Sequence, residues 1–306
     1  MKIFLNHLNE SWVVDRFKKE WIQFNENYTT EKIKDADIIW IIAPWTWSKL
    51  PKKYLKNKKV VCSIYHIDED KFSEQIKKDF TKRDRYVDEY HVISQKTRQQ
   101  LMKLTKKPIT SIPFWINPQI WFKKDEKFLR KKYNLKKDSF LIGSFQRDTE
   151  GSDLTSPKLS KGPDLFLEIV KEMYEDRNNI EIVLTGKRRN YLKSELIKLN
   201  IPFYYFEMVD FEDINNLYNC LDLYIVASRY EGGPQSILEC AITKTPIIST
   251  RVGISEEILS KESLFDMDTF SEAIPDTDYA YGNIENLILP KGFDDFIKLF
   301  DKINEN

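Results

Sequence analysis

Two carboxylates bracket a glycine turn in the segment RYEGGPQSILE, residues 229–239. A carboxylate only accepts hydrogen bonds, so Glu231 and Glu239 suit the vicinal hydroxyls of a ribose or a hexose. Gly232 and Gly233 let the backbone approach a ligand with no Cβ in the way. Pro234 fits the first position of a helix, where its missing N–H is no loss. The N–H groups of Gln235, Ser236 and Ile237 would then open that helix unspent and, with the helix dipole, favour an anion. The chemistry implied is an anion at a helix start with an acidic side chain on either side, Glu239 being about one turn into the helix.

Such a turn needs a strand before it and a helix after it. The surrounding residues, Leu221 to Leu259, read strand, loop, helix, strand, loop, helix. The same alternation runs through the chain. Short apolar runs predict strands at Lys2 to Leu5, Asp37 to Ile42, Val60 to Tyr65, Tyr90 to Ser94 and Ile109 to Pro113. A second series is predicted at Phe140 to Phe145, Ile180 to Gly186, Ile201 to Phe206, Leu221 to Ser228 and Thr245 to Thr250. Strands alternating with amphipathic stretches imply parallel sheets covered on both faces, an α/β class. A Pro-interrupted, charge-rich stretch from Trp115 to Asp138 separates the two series. The expected domains are 1–117 and 118–291, each Rossmann-like, facing each other across a cleft. Ligands in such sheets bind beyond the carboxyl ends of the strands. The terminal residues 292–306 read as an amphipathic helix.

The motif in that context resembles the donor-site signature of family-four retaining glycosyltransferases (glycosyl transferases group 1), which have the GT-B fold. The resemblance covers Ser139 to Leu259 well and the first hundred-odd residues loosely. It implies transfer of a sugar from a nucleotide-sugar donor to an acceptor with retention at the anomeric carbon. Glu231 would contact hydroxyls of the transferred sugar, and Glu239 the ribose. The N–H groups of Gln235 and Ser236 would meet phosphate or sugar. Arg147, just after a strand, and Lys161, just before Gly162, would clamp the diphosphate. A guanidinium fork and an ammonium point charge both stabilise a departing phosphate. The long loop Asp148 to Ser160 leaves Lys158 in competition with Lys161. Gly186 fits a strand-end turn near the nucleotide, with Lys187 or Arg188 beside it. Val209 either meets the nucleobase or packs. The family's fold commonly packs its last helix back on the first domain.

In the first half, His66 follows a strand where family members often carry a histidine. Its imidazole either hydrogen-bonds a sugar hydroxyl or acceptor, or is structural. Ser94 is expected to cap a helix. The glycine-rich turn usual after the first strand is missing. Asn6, His7 and Asn9 stand there instead, lining the cleft or capping. The acidic triplets Asp68 to Asp70 and Asp266 to Asp268 read as loop and cap acids, so no metal and no resident cofactor are expected.

Lys plus Arg balance Asp plus Glu at 48 each, which gives no footprint of a nucleic-acid partner. The longest apolar run, Ile38 to Trp45, is too short to span a bilayer, and no signal peptide is evident. Cys62, Cys220 and Cys240 are few and odd in number, which points to reduced core thiols and a cytoplasmic location. The lysine clusters at Lys52 to Lys59 and Lys131 to Lys137 are either solvated helix faces or a weak peripheral contact with an anionic membrane. The rival functions are a non-catalytic nucleotide or sugar-binding protein on the same fold, and a nucleotide-sugar epimerase.

Overall fold

The computed structural model describes residues 1–6 and 13–305. It divides into two units, Met1–Trp115 with Leu289–Asn306, and Ile116–Ile288.

The first unit is built on a five-stranded parallel sheet. Strands β1 (Ile3–Leu5), β2 (Ile38–Ile41), β3 (Lys59–Ile64), β4 (Glu89–Val92) and β5 (Ile109–Ser111) lie side by side in chain order. The sheet is covered on both faces, so its strands read as unbroken apolar runs. Alternate residues of β2 and its exit still part by the pleat. Ile38, Trp40 and Ile42 enter one core and Ile39 and Ile41 the other. The first core takes Val14, Phe17 and Trp21 from α1 (Val13–Phe24). The second takes Leu55, Phe80 and Leu101 from α2 (Lys52–Asn57), α3 (Glu74–Asp84) and α4 (Gln95–Met102). Ser94 caps α4 by accepting the Thr97 N–H at 3.2 Å.

The C-terminal helix, Asp294–Glu305, completes the first of these cores. Phe296, Leu299, Phe300 and Ile303 are buried there. The Phe300 ring lies 5.2 Å from Trp40 and 5.5 Å from Trp21, edge-on to the latter. Asn6 is a loop tie at the end of β1. Its Nδ2 donates to Ala43 O at 3.0 Å and Thr46 Oγ1 at 2.7 Å, and its Oδ1 accepts the Ala43 N–H at 3.1 Å. His7 and Asn9 lie outside the described residues.

The second unit has helices α5 (Glu126–Lys132), α6 (Pro163–Asp176), α7 (Asn190–Lys198), α8 (Phe211–Tyr218), α9 (Gln235–Thr243), α10 (Ser255–Ile258) and α11 (Thr277–Ile284). Its strands are β6 (Phe140–Ser144), β7 (Ile180–Thr185), β8 (Phe203–Phe206), β9 (Leu223–Val226), β10 (Ile247–Thr250) and β11 (Leu264–Phe265). They are all parallel, in the order β11-β10-β9-β6-β7-β8. The chain thus lays β7 and β8 on one side of β6 and then returns to its other side for β9. This reversal is a topological switch point, where the loops after β6 and β9 part and leave a crevice. Helices α6 and α7 cover one face and α8, α9 and α11 the other. The lysines of α2 and α5 are exposed. Among the described residues no helix is long and apolar enough to cross a membrane.

Candidate functional site in the second unit

The crevice between β6 and β9 receives residues from both exit loops. The loop before α6 is fastened flat onto the β9 exit. Ser160 O accepts the N–H groups of Arg229 and Tyr230 at 3.0 and 3.1 Å. The Arg229 guanidinium forks onto Asp164 at 2.8 and 2.6 Å and also reaches Leu159 O at 2.9 Å. Gly162 has φ +60, and a Cβ there would stand 1.8 Å from Ala227 O. Only glycine permits this approach. With the loop held so, the Lys161 ammonium forms an ion pair with Glu231 Oε1. Both groups are largely shielded, at 25% and 14% side-chain exposure. Lys158 stands at the other end of the same turn, where its N–H donates to Asp148 O at 2.7 Å.

Helix α9 starts one residue later than the sequence suggested. Pro234 has φ −55 and ψ 117 and occupies the cap position, with Gln235 the first helical residue. The extended ψ turns the Pro234 carbonyl toward the first turn, where it accepts the Ile237 N–H at 3.0 Å. The expectation that Ile237 offers a free donor is therefore corrected. That N–H is spent within the turn, and the first two positions belong to Gln235 and Ser236, both half-buried.

Glu239 projects from α9 into the unit and is 8% exposed. The Tyr218 hydroxyl donates to its Oε2 at 2.9 Å. Burial, reinforced by the Glu239 charge, pushes the Tyr218 phenol well above its ordinary pKa, so it stays a donor. The Tyr218 ring packs against Phe145 at the β6 exit (centroids 4.8 Å apart) and Tyr224 of β9 (5.3 Å).

Gly232 is buried and Gly233 half-buried. Gly253, beyond β10, supports them from behind. It has φ +57, and a Cβ on it would stand 2.4 Å from Gly232 O. The sequence reading passed over Gly253, although a glycine three residues past a predicted strand was the available signal. Thr250 ties the same exits together, its hydroxyl donating to Ser228 O at 2.6 Å.

Arg147 is exposed just after β6. Beneath it lies a group the sequence reading overlooked. Arg189 is fully buried and reaches Asp148 Oδ2 at 3.1 Å, Ser144 Oγ at 3.1 Å and Thr185 O at 3.4 Å, as well as Gln146 O. Burial raises the Asp148 pKa and lowers that of Arg189, and their mutual attraction opposes both shifts. Gly186 has φ +82. Its N–H donates to Phe206 O at 3.1 Å and its carbonyl accepts the Tyr205 hydroxyl at 3.0 Å, so it shapes the β7 exit. Lys187 and Arg188 beside it are exposed. Val209 is half-buried in the loop between β8 and α8.

His66 belongs to the first unit. It is exposed after β3 and lines a pocket of about 330 Å³ with Trp45, Tyr65, Phe72, Phe80 and Arg83. His91 of the same unit is fully buried. Its Nε2 lies 2.7 Å from Ile112 O and its Nδ1 2.8 Å from Ser63 Oγ, which also accepts the Trp40 indole N–H at 2.8 Å. Burial lowers its pKa from 6.5 to about 4. Asp68 lies beside Lys71 (3.9 Å) and Asp266 beside Arg251 (3.8 Å). Among the described residues no cluster of three His, Cys, Asp or Glu is arranged to hold a metal ion.

Residues 154–276, which carry Lys161, Glu231 and Glu239, match the family model described as glycosyl transferases group 1. The match is confined to that segment of the chain. Uncharacterized protein 356 of Sulfolobus islandicus rod-shaped virus 1 is 30% identical over 157 residues, 48% of this chain and 43% of that protein. The chain therefore matches less than half the length of that relative. The chain also resembles solved structures across nearly its whole length. Anabaena Alr3699/HepE, in complex with UDP and glucose, superposes with a TM-score of 0.73 at 11% identity, covering 98% of both chains. Sucrose-phosphate synthase from Thermosynechococcus elongatus gives 0.70 at 14% identity over 97% of this chain and 80% of that one. The lipopolysaccharide outer core galactosyltransferase WaaB gives 0.67 at 14% identity over 99% of this chain and 100% of that one. At these identities the likeness establishes the fold, GT-B, with two parallel-sheet α/β units.

Proposed function

We propose that this chain is a glycosyltransferase that moves a sugar from a nucleotide-sugar donor to an acceptor with retention of anomeric configuration. The observation that carries the reading is the ion pair of Lys161 with Glu231 at the β6–β9 switch point, beside the start of α9. Cation, carboxylate and helix start are the three things a sugar diphosphate asks for, and they meet at the position where such sheets bind ligands.

In this reading the diphosphate lies against Lys161, Arg147 and the N–H groups of Gln235 and Ser236. Glu231 exchanges part of its contact with Lys161 for hydroxyls of the transferred sugar. Glu239, oriented by Tyr218, takes the ribose. As the bond from the anomeric carbon to the phosphate oxygen breaks, negative charge grows on that phosphate, and the fixed cations and amides stabilise it. The acceptor oxygen attacks from the leaving group's side and a phosphate oxygen takes its proton. Neither Glu231 nor Glu239 is assigned as a covalent nucleophile, unlike the second carboxylate of a retaining glycosidase. The cationic clamp does the work of a divalent ion, so no metal or resident cofactor is required. The acceptor is a glycan, lipid or small molecule. The location is cytoplasmic, with any membrane contact peripheral.

The test is a thermal-shift screen over UDP-, GDP- and ADP-sugars, followed by mass analysis of products with glycan and lipid acceptors. NMR of the product's anomeric proton reads the stereochemistry. A glycosylated product of retained configuration is expected. Binding with no product under any acceptor would turn the reading toward a binding protein, and an isomerised sugar without acceptor toward an epimerase.

A further inference from the structure

The Arg189 guanidinium is enclosed below the crevice, where it ties together the carboxyl ends of β6 and β7. It bonds Ser144 of β6, Thr185 of β7, and both Gln146 and Asp148, the two neighbours of Arg147 in the chain. Arg147 itself is exposed, so its own side chain does not set its place; the backbone on either side does. Gln146 then carries the connection across the crevice. Its side-chain amide donates to Lys161 O at 2.9 Å, and its amide oxygen faces Ser228 Oγ at 3.4 Å on the β9 exit. One buried guanidinium therefore stands behind Arg147 through the backbone and behind Lys161 through a single side chain.

An ion pair enclosed in this way is weak evidence for stability, because desolvation offsets much of its attraction. Asp148 Oδ1 is moreover buried without a hydrogen-bond partner. Apolar residues of similar volume would fill the space with no orphaned oxygen. What apolar side chains cannot do is hold two carbonyls, a carboxylate and a hydroxyl in one fixed fan, the geometry that a five-donor planar group imposes.

We propose that Arg189, paired with Asp148, is a positioning residue that sets the spacing of the two diphosphate-binding cations, with Gln146 as its transmission to Lys161. The inference rests on the donor-site reading above. It differs from a purely structural role in what it predicts. A structural residue lowers stability and affects every ligand alike. A positioning residue affects the diphosphate and spares the nucleoside.

The test compares binding of UDP, GDP and ADP with that of uridine, guanosine and adenosine by calorimetry, on wild type, Arg189→Lys, Arg189→Met and Gln146→Leu. Gln146→Leu leaves the Arg189–Asp148 pair and the Gln146 carbonyl in place, so it reports on transmission even if Arg189→Met does not fold. For the diphosphate that binds wild type, affinity should fall on the order of tenfold to a hundredfold in Arg189→Met and Gln146→Leu. Affinity for the matching nucleoside should stay within about twofold, and Arg189→Lys should recover part of the loss. Folded Gln146→Leu that binds the diphosphate like wild type, or that loses nucleoside and diphosphate alike, overturns the inference and leaves the donor site standing. Wild type that binds none of the three diphosphates overturns the donor site, and the inference falls with it.

Discussion

Lys161 and Glu231 are seventy residues apart in the chain and joined by an ion pair in the fold. The contact depends on Gly162, whose approach to Ala227 O brings the two exit loops together. Each group orients the other across the crevice. Lys161→Met should lower turnover by about a hundredfold or more, the scale for losing one stabiliser of developing charge. In the free protein, Lys161→Met and Glu231→Gln should couple by roughly 0.5–3 kcal/mol in urea unfolding, because each single change strands a shielded charge. Strict additivity would mean that the pair contributes nothing in solution.

Glu239 and Tyr218 make a second, deeper pair. Tyr218→Phe removes a donor from a buried carboxylate and should destabilise the protein by about 1–3 kcal/mol. If Glu239 holds the ribose, Glu239→Ala should weaken a nucleoside diphosphate strongly and its 2′,3′-dideoxy analogue little. Equal weakening of both in calorimetry would remove Glu239 from that role.

Two glycines are fixed by close approach and positive φ together. Gly162→Ala and Gly253→Ala should each lose more than about 1 kcal/mol of stability from backbone strain alone, with the clash against Ala227 O or Gly232 O added. Gly253→Ala should also weaken diphosphate binding, since it displaces the turn before α9. Unfolding midpoints and nucleotide titrations of the purified variants give both numbers.

His91 makes stability depend on pH in a defined direction. Its native pKa, about 4, lies below its ordinary 6.5. Above pH 6.5 both states are neutral and the group contributes nothing to the slope. Between pH 6.5 and 4 the unfolded chain binds a proton that the native state refuses, so stability falls as pH falls, by about 3 kcal/mol in all. Urea unfolding at pH 4.5 and 7 should show a pH dependence of stability shallower in His91→Gln than in wild type, by at most about one proton. Equal slopes would mean that His91 titrates normally.

Transfer should survive chelation. Activity in EDTA equal to activity in manganese is the expected outcome; loss in EDTA with recovery on manganese would refute the cationic account of the phosphate site.

The fold was legible because parallel strands buried on both faces leave unbroken apolar runs. The predicted runs fall on β1 to β10. β11 was missed because two residues, Leu264 and Phe265, are too short to show any pattern. The candidate site was legible where a motif is local, as in the residues from Glu231 to Glu239. Its long-range parts were not. In the string KRRN, Arg188 and Arg189 look alike, yet one is exposed and the other fully enclosed. Only the sheet order brings Asp148 beside Arg189, and only a docked loop brings Lys161 to Glu231. The Ile237 amide was misjudged because proline's ψ, unlike its φ, is not set by its ring.

The C-terminal helix lends Phe296, Leu299, Phe300 and Ile303, and the segment before it Leu289 and Phe293, to a core otherwise made by the first 115 residues. A ribosome emits those residues after the whole of the second unit. While the chain is being made, residues 116–288 can close on their own, but the earlier-made sheet must wait with Trp21 and Trp40 uncovered. The middle of this polypeptide should therefore mature before its beginning. A stalled nascent chain ending near residue 288 should resist protease in its later half and yield in its earlier one.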